Sequence, residues 1–392
     1  MKVNLGLGAH NSADWPRFSS GDFSTPLATP DHESIEELLA IGDLAEPLGY
    51  DGIWTPEHSG TPYGMAPNPI QLLTYFAGRT ESIGLGTMVA VLPWWHPVRL
   101  AHQIAYLDII SKGRFDSIGV GRGVSKLEFD AVGVSRDDAR QRYDESIDIL
   151  ELALTQERFS YDGKIFKIPE MSIRPQPLSR DLPSRMFGAS STPSSLELNA
   201  RRGLKPLFVG NKPLTEAGQD VRQVNIFRAE QGLAPCQPKA VLFMYCTTAS
   251  DAAKRAQEYI DIANRDVSLH YGFGDPSSFV GVKGYEDYAG RKSYATAVTN
   301  GAPAQANAPK SAPKGYDQSN LLIGTPDEII ARIIEGQKIC SFSEITIVPN
   351  FTSLPYEETR KSIELFAKEV LPVVHKMATP LHAAALPEPI EA

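Results

Sequence analysis

Short apolar runs and amphipathic stretches take turns along almost the whole chain, and this alternation constrains the fold more than any other feature. The runs at 3–7, 52–54, 83–91, 115–120, 185–188, 207–209, 240–246 and 345–348 are short and largely apolar, as strands buried on both faces must be. Between them, 31 to about 48, 69–79, 97–110, 140–154, 194–202, 214–231, 251–263 and 357–370 carry apolar residues at helical spacing, the first with Asp31 as its expected N-cap and Gly49 as its stop. Strand–helix units of this kind build parallel sheets, and about eight of them favour a closed barrel over an open sheet. At 392 residues the chain is long enough for one such barrel with insertions.

Four stretches break the rhythm. Residues 9–30 are polar and rich in Pro and Ser, which predicts a long loop after the first strand, and 159–183 form an insertion. Residues 273–320 are rich in Gly and Ala and cannot bury enough apolar area to order themselves; a disordered segment or a lid that orders on ligand binding is expected. The chain from 379 to 392 reads as a flexible tail, which leaves 1–378 as the barrel domain.

Charge and cysteine usage exclude several function classes. A net charge of -9 spread along the chain gives no basic face for nucleic acid. No apolar run approaches a membrane span, and the chain starts in a strand pattern rather than a signal peptide. Cys236, Cys246 and Cys340 are scattered, which suits a reducing cytoplasm and gives no disulfide scaffold or zinc cluster. Neither His-Glu-x-x-His nor a carboxylate cluster is present, so no metal is expected.

The residues able to carry chemistry cluster at predicted strand ends, where barrels bind ligands. Ser111-Lys112-Gly113-Arg114 makes a turn, and the strand after it ends in Gly121-Arg122-Gly123, bare backbone beside one guanidinium. His58 follows the strand at 52–54, beside Glu57; it reads either as an acid–base group or as a structural histidine bonded to its neighbours. Thr192-Pro193-Ser194-Ser195 opens a helix whose free N–H groups and hydroxyls would seat a phosphate, although Thr192 as N-cap with Pro193 after it is also a common structural start. With Arg122 nearby, and Arg140 as a third charge, this start becomes a two-sided clamp. Gly119-x-Gly121-x-Gly123 is not a dinucleotide fingerprint, because its last glycine comes too early. Trp94, Trp95, Tyr63, Met65, Tyr271 and Phe273 are large groups in predicted loops that could line an apolar pocket.

With these residues in view, the chain resembles the bacterial luciferase family of flavin-dependent monooxygenases. The resemblance is close over Gly86-Thr87-Met88-Val89-Ala90-Val91-Leu92-Pro93, His96-Pro97-Val98-Arg99, Ser111-Lys112-Gly113-Arg114-Phe115 and Arg122-Gly123, and it returns at Gly324-Thr325-Pro326-Asp327-Glu328. It implies a single luciferase-like (β/α)8 TIM barrel that binds reduced FMN at the strands' C-terminal ends. By resemblance His58 falls on the active-site histidine, Met88-Val89 on a non-proline cis peptide beneath the flavin, and Arg122, Gly123, Arg140, Thr192 and Ser195 on flavin and phosphate contacts. Residues 273–320 fall on the mobile lid. Gly121 stands where luciferase has a reactive cysteine, Ser59 where it has a second histidine and Ser191 where it has a glutamate, so light emission and aldehyde specificity do not carry over.

The function so implied is a two-component monooxygenase. Reduced FMN, supplied by a separate NAD(P)H:flavin reductase, reacts with O2 to give a C4a-peroxyflavin. That species oxygenates a small to medium apolar substrate by Baeyer–Villiger oxidation, hydroxylation or epoxidation, or decays to hydrogen peroxide if water reaches it. A cytoplasmic homodimer is expected by the same resemblance. The alternatives are an F420-dependent oxidoreductase of the same superfamily and a non-catalytic flavin-binding protein.

Overall fold

Eight parallel strands close into a barrel in the computed structural model, which describes residues 1–190, 192–209, 213–272, 279–286, 321–350 and 354–387. In chain order the strands are β1 (Lys2–Gly6), β2 (Gly52–Thr55), β3 (Gly84–Val91), β4 (Phe115–Gly121), the hairpin strands β5 (Phe159–Asp162) and β6 (Lys167–Met171), then β7 (Met186–Ala189), β8 (Lys205–Val209), β9 (Lys239–Cys246), β10 (Leu321–Gly324) and β11 (Glu344–Val348). The wall runs β1-β2-β3-β4-β7-β8-β9-β11, and β11 returns to β1 with Lys2 opposite Glu344. The expected (β/α)8 barrel is therefore the fold. All eight residues of β9 are buried, because its inner side meets the barrel core and its outer side meets helices.

Several expectations need correction. The segment 9–30 holds a 3-10 turn, Ser12–Asp14, and a helix, Trp15–Ser20, pinned by the buried Trp15 and by Arg17 donating to Asp14. The helix expected from 31 to 48 is Asp31–Asp43 with Pro30, not Asp31, at its N-cap, and turns follow it. The insertion contains the antiparallel β5–β6 hairpin. The helix expected over 251–263 continues from Ala252 to Tyr271, because its buried face changes from apolar residues to Asp266, Ser268 and His270. β10 pairs with the upper half of β9, Leu321 opposite Phe243, and the helix Pro326–Cys340 follows it. Neither was anticipated. Thr325 and Glu328 close a reciprocal capping box at that helix start, which gives Gly324-Thr325-Pro326-Asp327-Glu328 a structural role.

The tail beyond 379 is docked as far as 387: Gln337 donates to the Pro380 carbonyl, Asn225 donates to that of Ala385, and Ala385 is buried. Two side chains bury themselves and so tie the last residues down. The remaining residues of the expected tail, 388–392, lie outside the described residues, as do 273–278 and 287–320 of the expected lid.

The turn 111–114 is likewise structural. All five N–H groups of Arg114 point at acceptors: the carbonyls of Ser111, Ala77, Thr80 and Ile83, and the Thr80 hydroxyl, at 2.8–2.9 Å. One guanidinium thus ties the end of the helix Pro69–Arg79 to Ile83, just before β3, and to Ser111, at the end of the helix Pro97–Ile110. The three cysteines are buried and unpaired; burial pushes the Cys246 and Cys340 thiols up to about 12.

Candidate active site

The C-terminal end of β4 carries the first half of the site. Gly123 sits at φ +77°, and a Cβ there would lie 2.7 Å from Val91, so only glycine lets the chain turn here. Gly121 is packed against Val89: a Cβ would meet its side chain at 2.5 Å, which rules out a larger residue. The Met88–Val89 peptide is cis, and both side chains pack on an apolar cluster that includes Trp54, Phe187, Leu207 and Phe243.

Arg122 stands between these glycines. Its Nη1 is buried and has no hydrogen-bond partner among the described residues, and its guanidinium lies 4.2 Å from the centre of the Tyr285 ring. Arg140 donates to the Ser194 hydroxyl at 3.3 Å, and burial together with the positive charge of Arg122 lowers its pKa. Ser194 belongs to the helix Pro193–Arg201, whose N-cap Thr192 accepts from the Ser195 N–H and donates to the Ser195 hydroxyl at 2.9 Å. Two guanidiniums and three hydroxyls therefore meet at a helix N-terminus. A guanidinium with one buried, unsatisfied nitrogen beside a hydroxyl-bearing helix start is a donor set that fits a phosphate.

Residues 279–286, inside the expected lid, lie against this clamp. The Tyr285 ring is fully buried and its hydroxyl donates to the Gly123 carbonyl at 2.9 Å. Lys283 N–H donates to Asp137 at 3.0 Å.

The second half surrounds His58. Its Nδ1 faces Glu128 Oε1 at 3.2 Å and its Nε2 faces the Tyr271 hydroxyl at 3.1 Å. Glu128, on the short helix Lys126–Ala131, also accepts the Ser59 N–H at 2.9 Å. Its other oxygen, Oε2, lies 3.2 Å from Nε2 of the fully buried His270, an ion-pair distance, and neither atom makes a hydrogen bond of regular geometry among the described residues. His270 Nδ1 lies 2.7 Å from the Thr61 hydroxyl. Desolvation works against the Glu128 carboxylate, but the imidazoles of His58 and His270 outweigh it and hold it down at about 2. Burial pulls His270 below the ordinary histidine value. His10 is pushed down to about 3 by burial and by the two nearby imidazoles. Next to His58, burial pushes the Glu57 carboxyl up to about 8, against its hydrogen bonds from Val91 N–H and the Trp95 indole.

The structure thus gathers Arg122, Gly123, Arg140, Thr192 and Ser195 into one clamp, and places His58 in a buried polar cluster. Met88 and Val89 form apolar wall in the same barrel mouth. Of the expected pocket aromatics, Tyr63 and Tyr271 pack around His58, Trp94 packs on Phe129, and Trp95 is held by Glu57. Phe273 and Ser191 lie outside the described residues. Glu128, His270, Thr61 and His10 were not singled out from sequence. His270 was hidden by the polar end of its helix, and Glu128 by a six-residue helix without apolar rhythm.

Comparison with known proteins places this geometry. The sequence profile of the luciferase-like monooxygenase family matches residues 17–340, and the chain belongs to that family. It is 27% identical over 357 residues to the alkanal monooxygenase alpha chain of Photobacterium leiognathi, spanning 88% of this chain and 95% of the relative. Among solved structures it is similar to monooxygenase RslO1 of Streptomyces bottropensis, with a TM-score of 0.73 at 24% identity, covering 95% of this chain and 100% of that one. The FMN complex of the oxygenating constituent of 3,6-diketocamphane monooxygenase from Pseudomonas putida gives a TM-score of 0.66 at 19% identity, with 97% and 99% covered. An F420-dependent secondary alcohol dehydrogenase gives 0.65 at 14%, with 95% and 98% covered. At these identities the structural likenesses establish the shared barrel. No helix among the described residues is long and apolar enough to cross a membrane.

Proposed function

We propose that this chain is the oxygenase component of a two-component, FMN-dependent monooxygenase acting on a small to medium apolar organic substrate. The observation that carries the reading is Arg122, a half-buried guanidinium whose Nη1 is buried and unsatisfied, near Arg140 and the hydroxyl-bearing start of the helix Pro193–Arg201. Such a cation is costly to bury without an anion, and the FMN phosphate supplies one. Reduced FMN, delivered by a separate NAD(P)H:flavin reductase, would provide the electrons that activate O2.

The chain's own residues position and shield. Arg122, Arg140, Thr192 and Ser195 hold the phosphate; Met88 and Val89 offer an apolar surface for the ring; Gly121 and Gly123 let the backbone approach it. Residues 279–286 cover the clamp and keep water out, as a lid would. His58, braced by Glu128, accepts or returns a proton at Nε2, where Tyr271 now sits. Trp54, Phe187, Leu207 and Phe243 form a buried apolar cluster inside the barrel on which Met88 and Val89 pack, which supports a hydrophobic substrate. A cytoplasmic homodimer completes the proposal.

Titration with FMN and F420 tests the cofactor, and an F420-dependent oxidoreductase, the reading the dehydrogenase neighbour favours, is adopted if only F420 binds. With FMN, NADH and a generic flavin reductase, O2 uptake and hydrogen peroxide release are then followed for the wild type and His58→Ala. The variant should shift turnover towards peroxide; unchanged coupling removes His58 from the mechanism.

A further inference from the structure

The hydrogen-bond partners around His58 form a chain whose direction can be read from its ends. Thr61 Oγ1 accepts the Tyr63 N–H at 3.3 Å, so its own hydrogen is free to point at His270 Nδ1, 2.7 Å away. A ring nitrogen that accepts leaves the hydrogen of a neutral imidazole on the other nitrogen. That nitrogen, His270 Nε2, faces Glu128 Oε2 inside the protein. Two acceptors buried face to face would repel, so the hydrogen belongs there. Glu128 Oε1 takes the Ser59 N–H and faces His58 Nδ1. The Tyr271 hydroxyl faces His58 Nε2 on the opposite edge of that ring.

We infer that Glu128 is a positioning residue shared by two histidines, fixing them in opposite tautomers: His58 with its hydrogen on Nδ1 and His270 with its hydrogen on Nε2. His58 then presents a bare Nε2 to Tyr271 and to whatever replaces it, so the neutral ring works as a base rather than a donor. His270 and Tyr271 are consecutive at the end of the helix Ala252–Tyr271, so the same carboxylate also holds the last turn of that helix. One buried charge thus joins the reactive ring of β2's loop to the helix that leads into residues 273–320. The inference rests on the reading of His58 as the reactive imidazole, and it names the group that orients it.

Imidazole 15N NMR on the full-length protein decides the matter without flavin. The signals of His58 and His270 are assigned with His58→Gln and His270→Gln, and spectra are taken at alkaline pH, where the rings are neutral. The expected pattern is a protonated Nδ1 on His58 and a protonated Nε2 on His270. In Glu128→Gln the new carboxamide has one carbonyl and one NH2, so it can accept from only one ring, and one of the two histidines should exchange tautomer. A merely space-filling Glu128 would leave both tautomers unchanged. The same substitution should lower coupled turnover by about 10- to 100-fold, the usual loss when the partner orienting a functional histidine is removed, while FMN affinity stays unchanged.

A wild-type His58 with its hydrogen on Nε2 overturns the inference. So does the reverse pattern on both rings with a stoichiometric divalent metal found by elemental analysis, since His58, Glu128 and His270 would then be ligands; their candidate atoms lie within 4.8 Å of one another. If the tautomers hold but FMN does not bind, the functional proposal fails and the positioning role stands.

Discussion

Replacing Arg122 with Met tests the proposed phosphate clamp, because methionine keeps the bulk of the stem and discards the charge. In the structure Arg122 Nη1 is already stripped of water and unpaired, so an arriving phosphate gains the interaction without a further desolvation cost on the protein side. A hydrogen bond to a charged group contributes about 1.5–3 kcal/mol. At about 1.4 kcal/mol per tenfold in affinity, the substitution should weaken FMN binding by about 10- to 150-fold. Arg140 and the helix start remain, so binding is reduced rather than abolished. Losing the guanidinium also removes its contact with the Tyr285 ring at 4.2 Å, which loosens residues 279–286 for any flavin. Riboflavin separates the two effects, since it has the ring and no phosphate. Fluorescence titration of both ligands against wild type and Arg122→Met should show the preference for FMN collapsing, with riboflavin affinity changed far less. Equal weakening of both ligands would refute the phosphate role and leave Arg122 as a support for Tyr285.

Other outcomes follow from single contacts. Arg114→Lys keeps the charge but cannot reach five acceptors, and should cost about 2–4 kcal/mol in urea unfolding while FMN affinity stays constant. Thr192→Ala removes the cap on the helix Pro193–Arg201 and should cost about 1 kcal/mol of stability, with FMN binding weakened as well because the hydroxyl is lost. Glu128 is held at about 2 against 4.5 when unfolded, so its contribution is full above about pH 4.5 and fades as pH falls towards 2. The stability gap between wild type and Glu128→Gln in denaturant melts should narrow across that window. Glu57 behaves in the opposite sense: raised to about 8, it binds its proton more tightly when folded, so stability falls as pH rises from about 4.5 to 8, and Glu57→Gln should flatten that slope.

The barrel was legible because its strands are buried on both faces, which leaves short, largely apolar runs between helical stretches; the equally apolar Leu321–Gly324 of β10 escaped because it follows a long Gly- and Ala-rich segment. The polar end of the helix Ala252–Tyr271 was not legible, since Asp266, Ser268 and His270 are buried, and a polar residue in sequence reads as exposed. The two arginines of 111–123 show the same limit. Arg114 reads as part of a turn and Arg122 as a group offered to a ligand, and only the structure reveals that Arg114 has spent all its donors on four carbonyls and the Thr80 hydroxyl while Arg122 keeps an Nη1 unpartnered among the described residues. Local signals did suffice for Thr192 as the N-cap of its helix. Nothing local could announce Glu128, whose partners stand 69 and 70 positions away at Ser59 and His58 and far along the chain at His270.

The fate of the thiols bears on how long such a catalyst would last. An oxygenase that leaks hydrogen peroxide bathes itself in oxidant with every misfired turnover, and the thiolate is the form of cysteine that reacts. Here the barrel mouth carries glycine at 121, and the three sulfurs are sealed elsewhere, two of them with pKa values of about 12. Sulfenylation therefore has no foothold on the native fold, and under the proposed function ageing in leaked peroxide should track unfolding rather than turnover number.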